Sequence, residues 1–117
     1  MGIILGIDVG GSTTKIVGLR TDGSLISTMM VRAYDQITSL YGALGHYIDA
    51  NKLKLSDVES VLVTGVGASY LSGDVYGIPT RRIDEFSAIA RGGISLAGVD
   101  EAIVVSMGKG TAFVQAD

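Results

Sequence analysis

The chain begins with a glycine-rich turn between two apolar segments, and this pattern constrains the fold more than any other feature. Residues 3–19 read IILGIDVGGSTTKIVGL, in which Asp8 interrupts an apolar run and two glycines follow almost at once. Segments rich in β-branched residues on both sides of a glycine turn predict antiparallel strands, here Ile3–Val9 and Lys15–Leu19. The chain is therefore expected to start with a hairpin that carries a carboxylate beside its turn.

The remaining segments predict an α/β layer with both meander and crossover connections. Asp22-Gly23 is a hairpin turn signal, and the apolar spacing after Asp35 is that of an amphipathic helix. Val58–Thr64 resembles a buried strand that runs into a glycine-rich turn at residues 64–69, and pockets form at the carboxyl ends of such strands. The predicted elements after the first two strands are a strand at 24–32, a helix at 35–51, strands at 58–64 and 78–83, a helix at 84–96, and strands at 102–106 and 111–115.

Length, charge and cysteine content exclude several classes of function. A chain of 117 residues is about one small lobe, and its 47% hydrophobic residues exclude a disordered chain. The net charge of −3, without a run of basic residues, argues against nucleic acid or a membrane surface as a partner. There is no cysteine, no signal segment and no apolar run long enough to span a bilayer. These features predict a cytoplasmic protein.

The first glycine turn has the composition of a phosphate-binding loop. Glycine amides approach an anion without steric obstruction, Ser12, Thr13 and Thr14 add hydroxyl donors, and Lys15 offsets negative charge. Asp8 would hold Mg²⁺, usually through water, and so bridge to phosphate oxygens. The alternative is that Asp8 caps the turn and that the glycines only make the hairpin tight.

A second glycine turn, at residues 107–111, reads Met-Gly-Lys-Gly-Thr and offers donors from Gly108, Gly110 and Thr111 with Lys109 as a cation. It is not a P-loop, because a glycine follows the lysine and a strand follows the turn. The turn at residues 65–67 is not a dinucleotide fingerprint either, because Tyr70 stands where the third glycine belongs.

Glu85 is the candidate general base. It stands where a strand passes into a helix, and a helix N-terminus tolerates a carboxylate and often faces a cleft. The alternative is a capping pair, with Asp84 as the N-cap and Glu85 in the first turn.

These residues together carry a family resemblance. GIDVGGSTTK at residues 6–15 resembles the phosphate-1 loop of the actin-like ATPase superfamily, and MGKGT at 107–111 resembles its phosphate-2 loop. With TGVGA at 64–68 and DEFSA at 84–88, the chain is most similar to the first half of type II pantothenate kinases. The resemblance implies a ribonuclease H-like N-terminal lobe at residues 1–100, with a mixed sheet flanked by helices. The first hairpin of a second lobe would follow at 101–117, which suggests a fragment.

The resemblance also implies roles for the site residues. Asp8 would hold the magnesium of MgATP, and the phosphates would be contacted by Gly10, Gly11, Ser12, Thr13, Lys15, Gly108, Lys109, Gly110 and Thr111. Glu85 would take the proton from the hydroxyl of pantothenate as it attacks the γ-phosphate, a first step of coenzyme A biosynthesis. The full-length protein would be a homodimer, and this chain alone would be inactive. Lys109 departs from the family, which has a small or hydroxyl residue there.

Two alternatives share this resemblance. ATPase activators of benzoyl-CoA reductase and 2-hydroxyacyl-CoA dehydratase look similar over the first half, although their phosphate-2 loops favour GGQD-like sequences. A non-catalytic member that uses nucleotide only as a switch is the third possibility.

Overall fold

The computed structural model describes residues 2–108 and 110–117, which form two compact units. The first unit ends at Arg82 and the second runs from Ile83 to Asp117. Lys109, a predicted phosphate contact, lies outside the described residues. The strands are β1 (Ile3–Val9), β2 (Thr13–Arg20), β3 (Leu25–Arg32), β4 (Val58–Thr64), β5 (Thr80–Arg82), β6 (Ala102–Met107) and β7 (Thr111–Ala116), and the α-helices are α1 (Gln36–Ala50) and α2 (Glu85–Ala97).

The first unit is built on a mixed five-stranded sheet in the order β3-β2-β1-β4-β5. β1, β2 and β3 form an antiparallel meander, whereas β4 pairs parallel with β1 and β5 pairs parallel with β4. The predicted α/β class with meander and crossover connections is confirmed. Because β1 and β4 are parallel neighbours, the turns that follow them lie at the same edge of the sheet.

One face of this sheet packs against α1 and forms the core. Alternate residues of β1, namely Ile3, Leu5, Ile7 and Val9, are almost completely buried. Helix α1 covers them with Leu40, Ala43, Leu44 and Tyr47. Burying each large aliphatic side chain stabilises the fold by roughly 1.5–3 kcal/mol. The other β1 residues, which include Asp8, point to the opposite face.

Tyr47 fixes how closely α1 approaches the sheet. Its hydroxyl donates a 2.8 Å hydrogen bond to the Ser27 carbonyl oxygen of β3. The ring lies directly over Gly18 of β2, where any side chain would collide with it. A buried tyrosine therefore keeps its polar tip satisfied, and a glycine in the neighbouring strand makes the room.

The second unit is the antiparallel β6–β7 hairpin with α2 packed on one face. Gly93 permits this packing, because a Cβ there would lie 2.5 Å from a methyl carbon of Val104. The other face of the hairpin carries four apolar side chains that are 44–82% exposed, those of Ile103, Val105, Met107 and Phe113.

The predicted boundaries differ from the observed ones in a few places. The first helix is slightly shorter than predicted, because Asp35 and Asn51 are its caps. β5 covers only Thr80–Arg82, since Ile78 pairs back with Val75 across a turn and so leaves the sheet. Two 3-10 helices, Leu55–Asp57 and Val66–Tyr70, fill connections that were predicted as loop and turn.

The division into compact units falls after Arg82, because helix α2 contacts β6 and β7 within the second unit. The lobes at residues 1–100 and 101–117 stay a prediction. No helix of the described residues is both long and apolar enough to cross a membrane.

Candidate functional site

Asp8 and Lys15 form a pair of opposite charges beside the first glycine turn. They are cross-strand partners on β1 and β2, and Lys15 Nζ lies 3.8 Å from Asp8 Oδ2. The Asp8 side chain is 38% exposed and that of Lys15 is 57% exposed. An ion pair this exposed contributes little to the free energy of folding. A ligand can therefore separate Lys15 from Asp8 at a small cost in free energy.

The turn after β4 lies in close contact with the same carboxylate. Gly65 has a φ of +95°, and a Cβ there would lie 2.5 Å from both Asp8 Oδ1 and the Val9 carbonyl oxygen. Only glycine fits this position, because it has no Cβ and tolerates a positive φ. The Asp8 carboxylate therefore lies between Lys15 on one side and the Gly65 turn on the other.

The hairpin turn itself presents backbone donors. The Gly10 amide donates to the Thr13 carbonyl oxygen at 2.9 Å, and the Ala33 amide donates to the Ser12 carbonyl oxygen at 2.9 Å. These two bonds fix the turn and leave Gly11 and Ser12 exposed at its tip. Within the described residues, the amides of Gly11 and Ser12 have no protein partner. The turn can therefore offer two N–H groups and a hydroxyl to an anion.

Three polar residues follow one another across the sheet at this edge. Lys15 on β2, Asp8 on β1 and Thr64 on β4 are register neighbours and share the face opposite α1. The Thr64 hydroxyl oxygen is shielded from solvent and has no hydrogen-bond partner among the described residues. Sequence reasoning placed Asp8 and Lys15 here but missed Thr64, because only the parallel β1–β4 pairing brings residues 8 and 64 together.

The groups around Asp8 fit a magnesium ion that is bound together with a nucleotide. No cluster of three or more His, Asp or Glu residues occurs in the described parts of the chain, so the protein offers no complete cage for a metal ion. Magnesium bound together with nucleotide needs only one or two carboxylates, because phosphates and waters supply the other ligands. Asp8 lies beside the turn amides that can donate hydrogen bonds to phosphate, and it therefore satisfies that requirement.

The other predicted site residues lie in the second unit. Gly108, Gly110 and Thr111 are exposed at the β6–β7 turn, where the Gly108 amide donates to the Gly110 carbonyl oxygen at 2.9 Å. No Cβ at either glycine would meet another atom within 4 Å, so the space around this turn is open.

Glu85 is the first residue of α2, and Asp84 is its N-cap. The Asp84 carboxylate accepts a 3.1 Å hydrogen bond from the Ser87 amide. Glu85 is exposed, and among the described residues its carboxylate has no hydrogen-bond or ion-pair partner. Asp84 therefore caps α2 and Glu85 lies in its first turn, which is the arrangement that the capping alternative predicted. The role of Glu85 as a general base stays a prediction.

Arg82 has a structural role that the sequence did not reveal. Its guanidinium donates to the carbonyl oxygens of Ala68 and Leu71, at the end of the 3-10 helix that follows Gly65. It also lines a cavity of about 240 Å³ together with Leu71, Gly73, Asp74 and Thr80. The sequence could not reveal this role, because nothing local links residue 82 to residues 68–71. None of the lining residues belongs to the predicted site.

Solved structures similar to this chain identify its fold. The activator of the 2-hydroxyisocaproyl-CoA dehydratase from Clostridium difficile, solved with bound ADPNP, is 24% identical with a TM-score of 0.67, over 79% of this chain and 32% of that one. The (R)-2-hydroxyglutaryl-CoA dehydratase component A of Acidaminococcus fermentans is 21% identical with a TM-score of 0.74, over 97% of this chain and 43% of that one. A ROK family protein from Streptococcus pneumoniae, in complex with sucrose, is 15% identical with a TM-score of 0.61, over 97% of this chain and 45% of that one.

These similarities establish the fold and not the activity. The chain has the ribonuclease H-like fold of the actin-like ATPases, as its sequence predicted. It spans 32% and 43% of the length of the first two structures, so it corresponds to less than half of each. No protein-family model and no curated protein matches it.

Proposed function

We propose that the chain is the nucleotide-binding first part of an ATP-dependent kinase that phosphorylates the hydroxyl group of a small molecule, with pantothenate as the leading acceptor. The observation that carries this proposal is the Asp8–Lys15 pair, which lies between the glycine turns that end β1 and β4. A carboxylate, an ammonium group and free turn amides at one sheet edge are the groups that a magnesium–nucleotide complex requires.

Each residue of the first turn has a defined task in this proposal. The amides of Gly11 and Ser12 donate to phosphate oxygens, with the hydroxyls of Ser12 and Thr13 as further donors. Lys15 leaves Asp8 and neutralises phosphate charge. Asp8 holds the magnesium ion, which would supply charge stabilisation to the transferring phosphoryl group. Gly10 keeps the turn tight, since a Cβ there would lie 2.8 Å from the Thr13 carbonyl oxygen.

The second unit supplies the remaining groups of the proposed enzyme. Gly108, Lys109, Gly110 and Thr111 contact phosphates from the β6–β7 turn. Glu85 accepts the proton of the acceptor hydroxyl, a role supported by its exposed carboxylate and by the fact that Asp84 alone caps α2. Pantothenate as the acceptor rests on the resemblance at residues 84–88 and 107–111.

A second candidate is an ATPase that activates a 2-hydroxyacyl-CoA dehydratase. The activator of 2-hydroxyisocaproyl-CoA dehydratase is 24% identical to the chain and component A of (R)-2-hydroxyglutaryl-CoA dehydratase is 21% identical, whereas the ROK family protein is 15% identical. The same Asp8 site would serve in this case, but nucleotide hydrolysis would not require an acceptor alcohol.

The deciding experiment measures ADP release by the protein that the complete reading frame encodes. MgATP is supplied with and without pantothenate, and Glu85→Gln is compared with Asp84→Asn, which retains a capping oxygen at the start of α2. We expect turnover that depends on pantothenate. Glu85→Gln should lower this turnover by about 100-fold or more, whereas Asp84→Asn should change it by less than about threefold.

Other results would change the proposal in distinct ways. ATP hydrolysis that is indifferent to pantothenate would favour the activator. Turnover that survives in Glu85→Gln would remove Glu85 from the chemistry. We also propose that the full-length protein is a homodimer, which sedimentation as a monomer at micromolar concentration would contradict.

A further inference from the structure

Two threonine hydroxyls of the first unit are shielded from solvent without a hydrogen-bond partner among the described residues. They belong to Thr14 on β2 and Thr64 on β4. A buried hydroxyl that lacks a partner destabilises the fold, and valine has nearly the same shape without a hydroxyl to satisfy. An unpaired hydroxyl therefore needs an explanation at each of the two positions.

The two hydroxyls lie on opposite faces of the sheet. Thr14 is completely buried and shares the α1 face with its register neighbours Val9 and Val31, both apolar. The expectation that its hydroxyl would join the phosphate donors of the first turn is therefore wrong, because the side chain is buried in the core and does not face the turn. Thr64 is the register neighbour of Asp8 on the other face. Only Thr64 is therefore placed to affect the Asp8 carboxylate.

One oxygen of the Asp8 carboxylate lies on the side of β4, the strand that carries Thr64. Oδ1 lies against the α-carbon of Gly65, the residue that follows Thr64, while Oδ2 lies on the Lys15 side. Adjacent strands lie about 5 Å apart, and register neighbours point to the same face, so the side chains of Asp8 and Thr64 are direct neighbours.

We propose that Thr64 is a positioning residue for Asp8, whose hydroxyl donates a hydrogen bond to the carboxylate when magnesium and nucleotide occupy the site. This inference rests on the proposed nucleotide site. When Lys15 turns to the phosphates, Asp8 loses its ion-pair partner, and the Thr64 hydroxyl, which has no hydrogen-bond partner among the described residues, donates to the carboxylate instead. The carboxylate then keeps one orientation toward the cation, and Thr64 gains the hydrogen bond that it lacks.

The test separates binding from stability. Binding of ADP to the protein from the complete reading frame is measured by calorimetry with and without Mg²⁺, and thermal unfolding is followed without ligand. The variants are Thr64→Val, Thr64→Ser and, as the matched control on the opposite face, Thr14→Val.

Thr64→Val should weaken magnesium-dependent ADP binding by about tenfold, because a hydrogen bond to a charged group is lost. Binding without magnesium should change by less than about twofold, and the melting temperature should stay equal or rise, because an unpaired hydroxyl is replaced by a methyl group. Thr64→Ser should restore the affinity, and Thr14→Val should bind like the parent protein.

Contrary results identify which proposal has failed. If the parent protein gains no ADP affinity from magnesium, the proposed function fails and the inference fails with it. If the parent gains affinity and Thr64→Val gains as much, the inference alone fails. Should Thr64→Val not fold, Thr64→Ser is compared with Thr64→Ala, and equal magnesium-dependent affinity of these two overturns the inference.

Discussion

The two glycine-turn hairpins of this chain have similar local sequences but different surroundings. In the first, β1 and β2 are the centre of a five-stranded sheet, and one face of β1 is almost fully buried under α1. In the second, β6 and β7 form a two-stranded sheet that α2 covers on one face, while Ile103 is 71% and Phe113 is 73% exposed on the other.

The difference shows what a local pattern determines and what it does not. Apolar strands around a glycine turn are sufficient for a hairpin in both cases. The close contacts at the first turn come from elsewhere in the chain, because β4 pairs beside β1 and places Gly65 against Asp8. In the second turn, a Cβ at Gly108 or Gly110 would meet no atom of the described residues within 4 Å.

The largest expected effect compares two isoleucines at similar positions in the two hairpins. Ile7→Ala removes a side chain that is 2% exposed and should lower the free energy of unfolding by about 3–4 kcal/mol. Ile103→Ala, at an exposed position, should change it by less than about 0.5 kcal/mol. Chemical denaturation followed by circular dichroism measures both. An equally large loss for Ile103→Ala would mean that another surface covers the second hairpin in solution.

The next effect compares the turn after β4, which packs against the first hairpin, with the turn of the second hairpin. Gly65→Ala adds a Cβ that collides with Asp8 and Val9 and forces a positive φ on alanine, so we expect a loss of about 2–3 kcal/mol. Gly108→Ala, in the open second turn, should cost less than about 0.5 kcal/mol. Similar losses at the two positions, measured by denaturation, would remove the contrast between a tightly packed turn and an open one.

A smaller effect tests how α2 lies on the second hairpin. Gly93→Ala should destabilise this unit by about 1–2 kcal/mol, because the new methyl group meets Val104. Gly92→Ala, with nothing within 4 Å, should instead stabilise it by about 0.5–1 kcal/mol through helix propensity. Amide hydrogen exchange along β6 reports both changes. The same direction of change in both variants would contradict the observed packing.

The smallest effect concerns the pH dependence of the first unit. Hydrogen bonding by the Thr38 side chain and amide lowers the pKa of Asp35, the exposed N-cap of α1. A depressed pKa in the folded state stabilises the protein above the unfolded pKa, and this contribution is lost as pH falls through the folded value. Asp35→Asn should therefore melt below the parent near neutral pH and approach it below about pH 4. A constant difference in melting temperature from pH 7 to pH 3 would contradict this assignment.

Local patterns predicted most of the fold. The helix at α1 followed from the spacing of Ile37, Leu40 and Leu44, and the strands followed from β-branched segments between glycine turns. The Asp8–Lys15 pair could be anticipated too, because a short hairpin turn places its flanking residues opposite each other.

Long-range contacts could not be predicted in this way. The roles of Gly65, Thr64 and Arg82 depend on which strands become neighbours, and nothing local specifies that β4 pairs with β1. The predicted second helix forms despite two glycines in its interior, and Gly93 permits its close contact with β6. In each case tertiary packing decided what the local sequence left open.

The most direct test of the account measures ADP binding to the full-length protein and to Asp8→Asn by calorimetry, each with and without Mg²⁺. If Asp8 holds magnesium beside the phosphates, the parent protein should bind ADP about tenfold or more tightly with magnesium, and Asp8→Asn should lose this gain while binding without magnesium persists. An equal gain in Asp8→Asn, or no ADP binding by the parent protein, would contradict the account.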